Sequence, residues 1–262
     1  MKSRQVAFTL IELLVVISII ALLIALLMPA LGKAKLAGEQ AVCGSDEHQI
    51  GLGVSMYMED YGGRMHLAPN YGLWDNPADG TPWTLDQINA MISGSSSPAH
   101  AYWAVAYADY INNHRDVFRC PSAKGMDVDP GYSDFVNQDE TTYGLNGYLV
   151  RNGEPSPKLT SKYSDFSSTI LCHDAWEHLL DGNGDMLSSF SQPVNITQYR
   201  YRSYGEDAIF EYYRHLDNSQ VLWLDGHVSL IHKSDGTDIP STWYTGRPAE
   251  KPVRGSRRGG RS

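Results

Sequence analysis

The sequence predicts an α+β protein, with one very long N-terminal helix followed by a head whose later half is strand-rich. Three observations predict it. The apolar run from Phe8 to Met28 is 21 residues long and holds one acidic residue, Glu12, which is about the length that crosses a bilayer as a helix. Past Pro29, Leu36, Cys43, Ile50 and Tyr57 recur every seven residues, joined by Val54 and Tyr61, which makes one face of an amphipathic helix. Near the other end, Val221-Leu222-Trp223-Leu224 and His227-Val228-Ser229-Leu230-Ile231 are β-rich runs separated by Asp225-Gly226, a dipeptide that type I′ hairpins favour.

At 262 residues and 42% apolar content, the chain can bury one good core beyond the helix, or two small ones. The net charge of −9 is unevenly placed. Lys2 and Arg4 contribute +2 and the stretch from Arg247 to the end +5, leaving −16 in between. An acidic head argues against nucleic acid as a partner and suits contact with divalent cations. Three cysteines, Cys43, Cys120 and Cys172, allow one pair and one remaining thiol, or no pair. Sixteen Tyr and six Trp among many Gly, Asn and Asp describe a loop-rich extracytoplasmic head rather than a regular bundle.

The N-terminal segment begins, as a secretory signal does, with positive charge. A secretory signal places its small residues and cleavage site after the apolar core. Here the small residue, Ala7, comes before it, so a cut between Ala7 and Phe8 removes a basic leader and leaves the whole helix on the mature chain. This arrangement, with Phe8-Thr9-Leu10-Ile11-Glu12, Glu12 fifth after the cut, and Pro29 where such helices often kink, resembles the class III signal of type IV pilins and type II secretion pseudopilins. The resemblance implies cleavage and N-methylation by a prepilin peptidase. It also implies residence in the bacterial inner membrane, and a filament of like or mixed pilin subunits. Ala7 departs from the family's usual Gly but is small enough for a tight pocket, so cleavage is expected at a lower rate.

A carboxylate inside a lipid-facing helix costs roughly 2.5–3.5 kcal/mol, so Glu12 reads as functional. In the resembling family its partner is the N-terminal amine of the neighbouring subunit, freed by cleavage at Phe8. The bland alternative is a charge snorkelling to the cytoplasmic interface.

The amphipathic half of the helix is expected to carry Lys33, Lys35, Glu39, Gln40, Glu47 and Asp60 on its solvent face, to bend or fray near Gly51, and to end at Gly62-Gly63. Unbroken from Phe8 to Tyr61, it is a rod of about 80 Å. Cys43 lies on its buried stripe, as a small core residue or as half of a disulfide. A turn-rich stretch to Pro98 includes a short helix at Thr84–Met91. A further helix, from Pro98 or Ala99 to Ile111, has Trp103, Ala106, Tyr107 and Tyr110 on one face. Val117 to Ser122 reads as a short strand stopped by Pro121. In the resembling subgroup a Cys-Pro-Ser like Cys120-Pro121-Ser122 accompanies a cysteine on the spine helix, which implies the pair Cys43–Cys120. Tyr143 to Tyr148 reads as a turn leading into a strand, and Thr169 to Cys172 as a strand that buries Cys172.

Four stretches carry possible chemistry. His173, Asp174 and His178 can be read as metal ligands but lack the i, i+4 His pair of helical zinc motifs. Asp181, Asn183 and Asp185 alternate with Gly182 and Gly184, a pattern open to a partial Ca²⁺ loop or an Asn-Gly turn; no EF-hand is completed. His215 precedes Asp225-Gly226 by the spacing of the His-x9-Asp-Gly pattern, which resembles prepilin-processed proteins of planctomycete and verrucomicrobial bacteria. His215 itself reads as a structural histidine bonding the hairpin backbone. Arg254, Arg257, Arg258 and Arg261 belong to a tail without apolar periodicity, expected to be disordered.

The expected layout is therefore a type IV pilin-like α+β fold, a long N-terminal spine helix packed on an antiparallel β-sheet head. Residues 1–7 form a leader, 8–29 the transmembrane and filament-core helix, 30–62 the amphipathic half of the spine, 63–246 the head and 247–262 the basic tail. The expected role is structural, as a pilus or pseudopilus subunit with its N-terminus cytoplasmic and its head outside. No catalytic residue and no certain cofactor are assigned, with Ca²⁺ the only ion suggested. The rival readings are a membrane-anchored glycan-binding protein whose Trp residues line a groove, and, more weakly supported, an anchored hydrolase using His173, His178 or His215.

Overall fold

The computed structural model describes residues 10–66, 74, 102–123, 142–150, 159–175, 179–180, 186–188, 205–234 and 236–246. Helix α1 spans Leu10–Asp60, 51 residues without a break, or about 77 Å at 1.5 Å per residue. Pro29 lies inside it. The helix ends where Gly62 and Gly63 turn to φ 63 and 78. Gly63 N donates to Met58 O (2.7 Å) and Gly62 N to Glu59 O (3.4 Å), the paired bonds of a Schellman cap.

The face of α1 that meets the head comprises Cys43, Glu47, Ile50, Gly51, Gly53, Val54 and Tyr57. Two expected members of the stripe lie outside it. Leu36 is 37% exposed and Tyr61 40% exposed, because cover begins near Glu39, which accepts from Ser122 Oγ at 3.0 Å, and Tyr61 follows the end of the helix. Its ring instead stacks on Tyr57, centroids 4.2 Å apart. No fraying occurs at Gly51. A Cβ there would lie 3.1 Å from Leu222 Cδ1, and one on Gly53 2.9 Å from Ile111 Cγ2. Both glycines admit neighbours to the helix backbone at a site where a side chain would hold them off.

The head reaches α1 first through α2 (Val105–Ala108) and the 3₁₀ turn Asp109–Ile111 that continues it. Trp103, Ala106 and Tyr107 are buried together there, and Tyr110 packs at the edge. A second 3₁₀ turn occupies Arg115–Phe118, in place of the strand expected from Val117. Its backbone closes locally, Arg119 N bonding Asp116 O. Thr142 bonds across it, receiving Cys120 N on Oγ1 at 2.7 Å and giving its own N–H to Phe118 O at 3.2 Å. With these groups satisfied, no ladder is needed.

Among the described residues the sheet has five strands, β1 (Tyr143–Asn146), β2 (Ile170–Asp174), β3 (Leu179–Leu180), β4 (Asn218–Trp223) and β5 (Val228–His232), in the order β3-β1-β2-β4-β5. Strands β1, β2, β4 and β5 are antiparallel; β3 joins β1 in parallel. The strand at Tyr143 comes before its turn, reversing the expected order, because Tyr143–Leu145 pair with Asp174–Cys172 while Asn146 Oδ1 caps the turn through Tyr148 N. Short helices α3 (Leu159–Lys162), α4 (Gly205–Tyr212) and α5 (Thr242–Thr245) complete the described elements.

Two apolar clusters flank the sheet. Leu145, Cys172, Leu222 and Leu224 join the face of α1, and Ile170, Val221, Trp223, Tyr212 and Tyr244 form the other layer. The period-two alternation of β4 sends Val221 and Trp223 one way and Leu222 the other. In β2 a register shift between Ile170 and Cys172 lets Leu171 and Cys172 both join the α1 side.

The β4–β5 connection is not a type I′ turn. Gly226 has φ 91 while Asp225 is absent from the positive-φ residues. Gly226 N bonds Trp223 O, and Trp223 N bonds His227 O, each at 2.9 Å, so the loop is Leu224-Asp225-Gly226. A three-residue loop needs a left-handed residue only at its last position, and Asp225 Oδ1 instead accepts from His227 N at 3.1 Å.

Gly53→Leu is expected to lower the stability of the full-length chain in detergent by roughly 1–3 kcal/mol through overpacking against Ile111. Gly38→Ala, where nothing lies within 4 Å, should be neutral or stabilising by up to ~1 kcal/mol. Thermal melts of the two variants side by side check the docked face, and equal effects would contradict it.

Candidate functional site

The helix divides into two environments. From Leu10 through Leu36 every residue is exposed, and α1 is the one helix among the described residues long and apolar enough to cross a membrane. Glu12 lies in this exposed apolar part of α1. Ala7 and Phe8 lie outside the described residues.

The second environment starts where Cys43 of α1 is joined to Cys120 by a disulfide. Beside this staple lies a buried polar cluster assembled from β2, α4 and the turn after it, and α1 itself. Asp174 ends β2, Arg214 and His215 follow α4, Glu211 lies within α4, and Glu47 projects from α1 one turn beyond Cys43. Arg214 Nη2 donates to Thr142 O (3.0 Å) and Ala175 O (3.1 Å), and Nε to Glu211 O (2.9 Å). These bonds clamp the start of β1 to the end of β2. Arg214 Nε stands 3.5 Å from Asp174 Oδ1, while Asp174 Oδ2 accepts from Gln220 N at 2.7 Å. His215 Nε2 is 3.4 Å from Asp174 Oδ2 and 3.4 Å from Cys120 Sγ.

The His215 ring therefore turns away from the hairpin backbone, contrary to its expected role. Its main chain does bond the start of β4, through reciprocal 3.1 Å bonds with Asn218. At the far end of β4, Gly226 O meets His48 Nδ1 of α1 at 3.1 Å. His215 and Asp225-Gly226 are thus at opposite ends of one strand; the Gly226 end meets the spine helix directly, and the His215 end lies against Cys120, which the disulfide ties to that helix.

Glu47 was expected on the solvent face but is fully buried. It follows Cys43 by four residues and precedes Ile50 by three, so it falls in the middle of the buried stripe. Neither carboxyl oxygen has a hydrogen-bond partner among the described residues. Burial pushes its pKa well above the ordinary carboxyl value, and Asp174 adds to the rise while Arg214 opposes it. Asp46 beside it is raised to about 6 by burial and by Asp116. Glu47 and Asp174 both lie near the Arg214 guanidinium, and a protonated Glu47 removes the repulsion between the two carboxyl groups.

His173 and Asp174 are adjacent but serve different layers. The Tyr244 hydroxyl accepts from Leu187 N and donates to His173 Nε2, each at 2.9 Å. His173 Nδ1 is then the protonated nitrogen and bonds Asp174 O at 2.6 Å. Burial lowers the His173 pKa to about 4, which keeps the ring neutral. Cys172 is buried and free. His178 and the candidate ion loop Asp181, Asn183 and Asp185 lie outside the described residues, as do the expected helix at Thr84–Met91 and the basic tail.

A family model described as the prokaryotic N-terminal methylation motif matches residues 2–28. No curated protein and no solved structure matches the chain. The motif implies processing by a prepilin peptidase and membrane association. With the apolar α1 it supports a membrane-anchored, single-pass precursor of pilin or pseudopilin type, and the helix-on-sheet layout is pilin-like.

The raised pKa of Glu47 fixes the sign of a pH effect. A carboxyl whose folded pKa lies above its unfolded value loses stability for the fold as pH rises past the unfolded value, near 4.5. Through Glu47 the thermal midpoint should fall from pH 5 to pH 8, opposed up to about pH 6.5 by the neutral His173, whose lowered pKa makes the fold more stable as pH rises. Glu47→Gln should shallow that fall and raise the midpoint at pH 8, each 1 kcal/mol being worth roughly 2–4 °C in a chain of this size. Parallel pH profiles of the parent and the variant would contradict a buried, neutral Glu47.

Proposed function

We propose that the protein is a structural subunit, cut between Ala7 and Phe8 by prepilin peptidase and assembled into a type IV pilus or a type II secretion pseudopilus. The observation that carries this reading is the methylation motif at residues 2–28, which opens a helix bare over its first half and docked on the head over its second. A bare apolar half-helix needs lipid before assembly and other helices after it. Lys2 and Arg4 favour a cytoplasmic N-terminus, and a disulfide between Cys43 and Cys120 suits an oxidising compartment for the head. Residues 1–7 are then a leader, 8–29 the membrane and filament-core segment, 30–62 the spine's outer half, 63–246 the head and 247–262 a tail. Glu12 pairs with the methylated amine of a neighbouring Phe8, two groups unfavourable in lipid compensating each other. His215 with Asp225-Gly226 is the head's anchor to the spine, in keeping with the His-x9-Asp-Gly pattern.

Trp74, Trp103 and Trp223 are buried, which supports a structural head over a Trp-lined glycan groove. His173 bonds Tyr244 and the Asp174 carbonyl, an arrangement that favours scaffold over hydrolysis.

Intact mass and N-terminal sequencing of membrane-extracted protein test processing, and Glu12→Ala tests assembly by sedimentation. The reading expects a chain beginning at Phe8 with one added methyl group, and loss of sedimentable filaments in the variant. A chain retaining Met1, or processed parent protein that yields no sedimentable filaments, would turn α1 into a plain anchor, and filaments indifferent to Glu12 would contradict its role in assembly.

A further inference from the structure

The two cysteines of the disulfide meet it with unequal surroundings. Cys43 stands on α1, with Glu47 one turn further along the same buried stripe. Cys120 belongs to the head, and so do the groups held against it. His215 Nε2 lies 3.4 Å from Cys120 Sγ, and the same nitrogen lies 3.4 Å from Asp174 Oδ2. All three residues are buried, and His215 Nδ1 has no partner among the described residues, so the ring makes its polar contacts through Nε2. The pair is held from behind, Gln220 N bonding Asp174 Oδ2 and Cys120 N bonding Thr142 Oγ1, each at 2.7 Å. A finished disulfide is a weak acceptor and has no need of a buried imidazole. A thiol about to react does, because the thiolate is the nucleophile of disulfide exchange.

We propose that His215 is the base that ionises Cys120 while the bond to Cys43 is being made, with Asp174 stabilising the imidazolium. Cys120 is then the thiol that attacks the oxidant, and Cys43 the thiol that closes the bond. The surrounding charges leave this task to His215. The carboxyl groups around the two residues, Asp174, Glu47, Asp46 and Glu39, disfavour a thiolate. Of the cations, Arg214 is engaged by Asp174 and Glu211, and Arg119 is exposed. Base and thiol both belong to the head, so the pair stays assembled while α1 is undocked and an oxidant can enter.

The oxidant is a disulfide, RSSR, and the steps balance. Cys120 gives its thiol proton to His215 Nε2, and the thiolate attacks one sulfur of RSSR. The Cys120–SR bond forms as the RS–SR bond breaks, and the RS⁻ that leaves takes the proton from His215. As α1 docks, Cys43 loses its proton to water and attacks Cys120 Sγ, forming the Cys43–Cys120 bond and expelling the second RS⁻, which water protonates. Two protein thiols are oxidised, and one RSSR becomes two RSH. This inference concerns the junction of spine and head and does not depend on filament assembly.

The test uses two full-length chains in detergent, reduced by a phosphine that is then removed. Cys43→Ala with Cys172→Ala leaves Cys120 as the one thiol, and Cys120→Ala with Cys172→Ala leaves Cys43. Each is trapped with iodoacetamide from pH 6 to pH 9. The same undocking uncovers both sulfurs, so the ratio of their rates cancels access. An ordinary thiol reacts roughly 200-fold faster at pH 9 than at pH 6. Cys43 is expected to rise at least that steeply and Cys120 by less than about tenfold, so that the ratio of Cys120 to Cys43 is about 20-fold larger at pH 6 than at pH 9. His215→Gln should restore the steep rise of Cys120. In the Cys172→Ala chain it should also slow closure by oxidised glutathione at pH 7 about tenfold or more, while His232→Gln at the exposed end of β5 should do neither. Near-UV circular dichroism of the oxidised chain reports whether His215→Gln folds; if it does not, the comparison of Cys120 with Cys43 decides alone. Equal pH profiles for the two thiols, or a shallow Cys120 profile that a folded His215→Gln leaves shallow, overturn the assignment.

Discussion

One helix in this protein has to satisfy two media, and the burial of a narrow stripe on its second half makes that possible. Ile50, Val54 and Tyr57 are withdrawn from water against the sheet and α2, each worth roughly 1.5–3 kcal/mol when fully buried. The disulfide from Cys43 closes a loop of 77 residues, about 4.5 kcal/mol in the chain-entropy model. Without this docking the outer half of α1 would be a glycine-bearing amphipathic segment in water, marginal as a helix. With it, the rod and head move as one, and whatever holds the bare half also holds the head.

The same junction carries polar groups that do nothing for packing. Arg214 gives its hydrogen bonds to strand-end carbonyls and its charge to Asp174, so it organises one end of strands β1 and β2 against α4. Glu47 brings a carboxyl into the stripe where a Leu would pack. Its neutral form is compatible with an apolar site and its ionised form is not, so the docking of spine on head weakens as pH rises. Buried ionisable groups of this kind are poor sources of stability.

Much of the architecture was legible because it rests on period. The apolar run, the recurrence of Cys43, Ile50 and Tyr57, the Gly62-Gly63 stop and the strands on either side of Asp225-Gly226 are local signals, and the α+β layout follows from them. The pairing of Cys43 with Cys120 came from a family resemblance, not from spacing. What was not legible depends on tertiary partners. Thr142 satisfies the backbone at Phe118 and Cys120 from 22 or more residues away, so a β-rich hexapeptide became a 3₁₀ turn. Asp225 stayed out of positive φ because the loop took three residues, not two. His215 found Asp174 across the sheet, a contact no sequence window contains. Glu47 is the exception, since its place in the stripe follows from counting four residues on from Cys43.

The claim that spine and head are one body is tested most directly by hydrogen exchange, followed by mass spectrometry, on the oxidised full-length chain in detergent. Backbone amides of residues 43–57 should exchange as slowly as those of β2 and β4, since opening them requires undocking the helix. Exchange of residues 43–57 orders of magnitude faster than β2 and β4 would mean a helix that merely adjoins its head, and would contradict the account.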